Sequence, residues 1–246
     1  MTISTLGKSD PSDITESGTK AASSQRPTRA GIARPSLVWP LLSSPLDMPA
    51  RMIAFVAVMP RAIAKAEWLE GNRARLRLVE PADCGERYLS WLLDPEVNRY
   101  LETRWSEQTL DTVRAFVASM ADSPDSYLFA IVDRESGGHV GNVKIGPVNR
   151  IHQFADVSYF VGDRGAWGKG FGTEAVVLAT RFGFERLGLH RVQAGLHETN
   201  IGSRRVLEKS GFTFEGALAK KLRGARDGEW EDHLWFGALR DTWVAP

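Results

Sequence analysis

The 246-residue sequence holds a single cysteine, Cys84. One thiol cannot close an intramolecular disulfide and has no cysteine partner for a zinc site, so no metal is expected and a reducing cytoplasm is the expected setting. Cys84 sits in PADCGER at a predicted helix start, with no histidine near it in sequence, and reads as a structural or surface thiol. Long apolar runs are also missing. The longest in the first third, MIAFVAVM (Met52–Met59), is far short of the ~20 residues needed to cross a bilayer. It lies behind Asp10, Asp13 and Glu16, which disfavours an export signal. An excess of charge of one sign is lacking too: 31 Lys and Arg against 30 Asp and Glu leave a formal net charge of +1. Such a balance supplies no broad field for gripping nucleic acid. Neither a membrane nor a nucleic acid is therefore expected as a partner.

What is present is an ordinary globular composition, 43% hydrophobic and 25% charged. The length admits one domain of about 150 to 200 residues plus an appendage. Residues 1 to 45 are rich in Ser, Thr, Pro, Gly and Ala, and cannot bury enough surface to offset the entropy of ordering. Residues 46 to 70 are mixed, with MPRAIAKAEWLEG able to form a short amphipathic helix. The expected division is a disordered or weakly structured extension over 1–70 and one domain over 71–246. The composition change also puts Met48, Met52 and Met59 forward as alternative translation starts.

From Arg73 the pattern becomes regular. RARLRLVE alternates at period two and predicts a strand closed by Pro81. Helical spacing follows over Ala82–Leu93 and Glu107–Met120, around an irregular segment carrying Asp94, Pro95, Asn98 and Glu102. SYLFAIVD and HVGNVKIG flank an SGG turn as a hairpin, and ADVSYFVG (Ala155–Gly162) is the next strand. Gly165, Gly168, Gly170 and Gly172 then precede a helix over Thr173–Leu187, stopped by Gly188. A strand at His190–His197, a short helix at Ile201–Ser210 and a final hairpin turning at Arg226–Trp230 complete an α+β order with a mostly antiparallel sheet.

A strand, a glycine-rich turn and a helix start together make an anion site, because converging N–H groups and the helix N-terminus favour negative charge. WGKGFGTEA fits neither common nucleotide motif. Asp163 takes the first glycine of a P-loop and Gly170 replaces its Ser/Thr; Thr173 takes the third glycine of a dinucleotide loop, with Gln193 in the acidic neighbourhood.

Val157–Gly216 resembles the acetyl-CoA-binding core of GNAT acetyltransferases, and is especially similar to the RimJ/RimL-type branch of ribosomal-protein N-terminal and amino-sugar acetyltransferases. Three signatures carry the resemblance in order: the [QR]-x-x-G-x-[GA] loop at Trp167–Gly172, the N-x-x-S pair at Asn200 and Ser203, and LEKSGF at Leu207–Phe212. One departure is Trp167 where the superfamily favours Gln or Arg. The resemblance covers most of residues 73 to 243, and implies the acyl-CoA N-acyltransferase fold: a mixed, mostly antiparallel sheet flanked by helices, with splayed central strands. It implies acetyl-CoA as co-substrate, bound by Phe160, Val161, Trp167, Gly168, Lys169, Gly170, Phe171, Gly172, Thr173 and Asn200. A backbone N–H around Phe160 or Val161 would hold the oxyanion, and Ser203 would protonate the leaving thiolate.

The implied reaction is direct transfer to a primary amine in a ternary complex, which needs a neutral amine, an oxyanion hole and a thiolate proton source but no covalent acetyl-enzyme. Candidate general bases are Glu102, in the acceptor-side loop, His152 and Asp156, with a water chain as the alternative; His190 and His197 read as structural. The acceptor would be a protein N-terminus, an amino sugar or a small amine, with Arg99 and Arg104 available to a sugar-nucleotide phosphate. A catalytically silent acetyl-CoA-sensing module is the alternative function, and a monomer or homodimer the expected state.

Overall fold

The computed structural model describes residues 67–224 and 228–246. The 1–66 extension, its alternative starts, most of the MPRAIAKAEWLEG segment and the first two residues of the Arg226–Trp230 turn lie outside the described residues.

Among the described residues eight strands form one sheet in the order β1-β2-β3-β4-β5-β6-β8-β7. They are β1 (Leu69–Glu70), β2 (Ala74–Leu78), β3 (Tyr127–Asp133), β4 (His139–Ile145), β5 (Phe154–Val161), β6 (Arg191–His197), β7 (Thr213–Arg223) and β8 (Trp230–Leu239). The α-helices among the described residues are α1 (Glu86–Leu93), α2 (Pro95–Asn98), α3 (Leu110–Asp122), α4 (Phe171–Glu185) and α5 (Ile201–Lys209). Every strand pairing is antiparallel except β5 with β6. The expected mixed, mostly antiparallel sheet flanked by helices is what forms.

The sequence pattern explains why helices cover both faces. In β3, Phe129 and Ile131 point to one side and Leu128, Ala130 and Val132 to the other, and all five are buried. The first pair joins a core with Val143, Ile145 and Val157 against Ala175, Leu178 and Phe182 of α4. The second set joins Tyr88, Trp91 and Leu92 of α1 and Val113 and Val117 of α3. Phe182 packs edge-on against both Tyr127 and Phe129, with ring centroids 5.2 Å apart in each case.

The structure departs from the periodicity in three places. The Ala82–Leu93 helix is divided: Pro81–Asp83 forms a single 3-10 turn, and α1 begins at Glu86. The irregular segment contains α2, capped by the Asp94 carboxylate on the Glu96 N–H, and a 3-10 turn over Glu102–Trp105. Upstream of residue 71, Leu69 and Glu70 pair with β2, and Trp68 packs on the α1–α3 side of the sheet with the Arg75 guanidinium 4.1 Å from its ring.

The parallel contact of β5 with β6 positions everything that follows. It is limited to Phe154, Ala155 and Asp156 against Arg191, Val192 and Gln193. Beyond these pairs the two strands run on without partnering one another, which is the expected splay.

Candidate active site

The splay leaves half of the β5 amides facing an opening. Gly162 N–H donates to Val140 O and Gly146 N–H donates to Asp156 O, so the even-numbered residues of β5 turn their peptide groups toward β4. By antiparallel alternation Val157, Tyr159 and Val161 turn theirs toward β6. The Phe160 amide therefore belongs to the ladder, and of the two residues the sequence put forward as an oxyanion donor, Val161 is the one whose N–H looks into the gap.

At the end of β5 the chain enters the glycine loop. Gly168 and Gly170 hold φ of 73° and 90°, the left-handed region that glycine adopts without strain. Gly170 is the N-cap of α4, and Glu174 N–H makes the first backbone bond to its carbonyl. The amides of Phe171, Gly172 and Thr173 consequently have no intrahelical acceptor, while the helix dipole places partial positive charge there. Trp167, the residue that departs from the family pattern, donates its indole N–H to Val161 O at 2.7 Å and so ties the loop to β5. A second tie comes from Arg87 of α1, 2.8 Å from the Asp163 carboxylate.

Asn200 and Ser203 meet the gap from the other side. The Asn200 side chain caps α5, its Oδ1 accepting the Ser203 N–H at 3.0 Å. This leaves the Ser203 hydroxyl for another partner, and it finds the Tyr159 phenol at 2.9 Å. Burial pushes the Tyr159 phenol above its ordinary pKa, with the Ser203 bond pulling the other way. The pair is thus a neutral, protonated hydrogen-bond chain at ordinary pH.

These parts line one cavity of about 1350 Å³. Its walls include Phe160, Val161, Trp167, Gly168, Gly170, Phe171, Gly172, Thr173, Asn200 and Ser203, and also Glu102, Arg99 and Asp156. Lys169 sits in the loop but not on the wall, and His152 is exposed away from it. Asp156 accepts from Gln193 at 2.7 Å, and exposed Glu102 sits on its own 3-10 turn. Arg104 is committed to the carbonyls of Arg99 and Arg223, so only Arg99 of that pair reaches the wall.

Sequence reasoning passed over three contributors, Tyr159, Arg205 and Lys209, and read a fourth, His197, as structural only. Tyr159 faces the packed side of β5, where a phenol must find a partner, and that requirement was a usable signal. Arg205 and Lys209, one turn apart on α5, also line the cavity and bring two positive charges to it. His197 lines it too, bonded to Glu231 through Nδ1 at 3.0 Å. Among the described residues no group of three or more His, Cys, Asp or Glu could hold a metal, and no helix is long and apolar enough to cross a membrane.

This combination of a mixed sheet split at β5, a glycine loop opening α4 and an Asn/Ser cap beyond β6 defines an acyl-CoA-binding fold. The acetyltransferase (GNAT) domain family matches residues 73–213. The chain belongs to the GNAT acetyltransferases. Among its relatives, Probable N-acetyltransferase YjcK of Bacillus subtilis (strain 168) is 39% identical over 119 residues, a stretch covering 48% of this chain and 64% of YjcK. Mycobacterium smegmatis RimJ, solved in complex with CoA-disulfide, aligns at 24% identity and a TM-score of 0.60, covering 68% of this chain and 82% of that one. A ribosomal-protein-S5-alanine acetyltransferase from Vibrio fischeri aligns at 23% identity and a TM-score of 0.59, covering 72% of this chain and 99% of that one. At these identities the solved structures speak for the fold.

Proposed function

We propose that this chain is a cytoplasmic enzyme that moves an acetyl group from acetyl-CoA directly to a primary amine, with a protein N-terminus or an amino sugar as acceptor. The observation that carries this reading is the one cavity running from the glycine loop, past the Val161 amide and Ser203, to the 3-10 turn at Glu102. Both co-substrates fit within one such space, as direct transfer in a ternary complex requires.

The geometry supports a role for each part. The pyrophosphate would meet the amides of Gly168 to Thr173, with Arg205 and Lys209 available to the remaining phosphate. The Val161 N–H would hold the oxyanion as the tetrahedral intermediate forms. Ser203, backed by Tyr159, would donate to the departing thiolate. The Vibrio fischeri neighbour acts on a ribosomal-protein alanine, so an alanine-leading peptide heads the acceptor panel, followed by glucosamine and simple alkylamines.

The test is thiol release from acetyl-CoA over that panel, together with a thermal-shift titration. Amine-dependent turnover is the expected result. A thermal shift without turnover on any amine would support a catalytically silent sensor instead, and the absence of both would overturn acetyl-CoA binding itself.

A further inference from the structure

The His197 imidazole is buried, and its Nε2 has no hydrogen-bond partner among the described residues. Its Nδ1 is committed to Glu231 Oε2 at 3.0 Å, and Thr199 Oγ1 donates to the same oxygen at 2.8 Å. A neutral imidazole donates from one nitrogen and accepts at the other, so the carboxylate fixes the proton on Nδ1 and leaves a lone pair on Nε2. An unsatisfied buried acceptor is costly, and any N–H or O–H donor that enters relieves that cost.

The fold sets this lone pair on the acceptor side of the reaction. Val192, Ala194 and Leu196 of β6 pack into the α4 core, so Gln193, Gly195 and His197 face the opposite side. That is the side of Asp156, which Gln193 binds, and of Phe160, which packs on Tyr88 and Trp91 of α1. Past the last parallel pair, Asp156 with Gln193, the strands diverge, and His197 on one and Phe160 and Val161 on the other line the same cavity. Tyr100, just after α2, covers the ring at 5.5 Å and is itself anchored by its hydroxyl to Thr199 O. We infer that His197 is the general base that deprotonates the acceptor amine, with Glu231 as the positioning residue that holds its tautomer.

The inference rests on the acetyl-transfer reading above and completes its proton balance. The amine arrives as R–NH3⁺; Nε2 takes one proton and passes it to solvent through the cavity mouth. The freed lone pair forms the N–C bond, and the C–S bond breaks as the tetrahedral intermediate collapses. Nε2 takes the second nitrogen proton, while the thiolate is protonated from the Ser203–Tyr159 chain, which solvent refills. One proton is released for each acetyl group moved.

Among the described residues, the titratable groups around the imidazole include Glu231 and His233 on β8 and Tyr100 beyond α2. His233 stands opposite His197 in the strand register. Burial lowers the His233 pKa, with Lys221 and His197 adding to the effect and Asp156 opposing it, so it stays neutral beside the base. Glu198, next in sequence, is occupied by Lys220 and the Asp232 N–H.

The test uses the full chain with three variants: His197→Ala, His197→Gln and Glu231→Gln. Each is first required to keep its acetyl-CoA thermal shift, and the Gln form of His197 retains a donor for Glu231 if the Ala form unfolds. With an alanine-leading peptide near pH 7, both His197 variants should lose about 10²-fold or more in kcat/KM, the range of a positioned base. That deficit should shrink above about pH 9, where an α-amino group of pKa near 8 arrives already neutral. Glu231→Gln should give a smaller deficit of the same pH shape. Nitrogen-15 NMR of the histidine rings should show His197 protonated on Nδ1 in the unmodified chain and mixed in Glu231→Gln. An unchanged kcat/KM, a deficit equal at both pH values, or an Nε2-protonated ring would overturn the inference. If the unmodified enzyme takes no amine, the proposed function fails; the variants are then scored on acetyl-CoA hydrolysis with water as acceptor, where an unchanged rate overturns the base and a pH-dependent loss supports it.

Discussion

The phenol of Tyr159 on β5 lies 2.9 Å from the hydroxyl of Ser203 on α5, a contact between residues 44 positions apart that bridges the two walls of the seam. A serine beside a developing thiolate need only supply a strong hydrogen bond, and the phenol keeps that hydroxyl oriented and protonated. Ser203→Ala should lower kcat by about 10- to 10³-fold, at or below the usual range for positioned acid–base groups, with little change in acetyl-CoA affinity. Tyr159→Phe should lower it by less. A thioester whose thiol has a lower pKa should recover much of the loss in steady-state assays. An equal deficit on both thioesters would exclude proton donation.

Gly170 holds a left-handed φ of 90° at the start of α4, with nothing within 4 Å of where a side chain would begin. Gly170→Val should therefore strain the cap and crowd the anion site without disturbing the core. The expected outcome is a folded protein whose melting temperature no longer rises with acetyl-CoA, measured by thermal-shift titration. A variant that still shows the full shift would remove this loop from the cofactor site.

Arg191 of β6 grips Glu215 of β7 through both carboxylate oxygens, and this hydrogen bond, with its charge, holds the Glu215 carboxyl below its usual range against the opposing effect of burial. A lowered pKa contributes stability above the unfolded value near 4.3, lost as pH falls through the folded value. Glu215→Gln should thus be less stable than the parent near pH 7 by under about 1 kcal/mol, since the pair is open to solvent, and the difference should be smaller near pH 3. Urea unfolding at the two pH values checks the sign.

A chain beginning at Glu67 should keep cooperative unfolding and acetyl-CoA affinity. Glu67 and Trp68 are needed because the former pairs with Arg186 at 2.5 Å and the latter packs under Arg75. Removing a further four residues should strip β1 from the sheet edge and lower the melting temperature, as calorimetry would show.

Much of this was legible in the sequence because its signals are local. Alternation in SYLFAIVD and the spacing of Ala175, Leu178 and Phe182 are fixed by each element's own period, and both survive in the fold. The glycine loop was legible for the same reason. What escaped was short or long-range. Two-residue β1 and four-residue α2 carry no full period, and α2 depends on a single Asp94 cap. Tyr159 meets Ser203, and His197 meets Glu231 from 34 residues away, only through pairings that no window of sequence contains. His197 ends a strand as many structural histidines do. Its unpaired nitrogen is a property of the assembled sheet.

The brevity of the β5–β6 contact has a mechanical consequence. Strands β1 to β5 and strands β6 to β8 are two panels, and three rungs at one end join them. The amides of Val157, Tyr159 and Val161 offer an extended ligand the same pattern that a neighbouring strand would use. Pantetheine, with two amides along an extended chain, would complete the sheet as a borrowed strand. The cofactor would then be part of the skeleton during turnover, stiffening the seam on arrival and loosening it on departure.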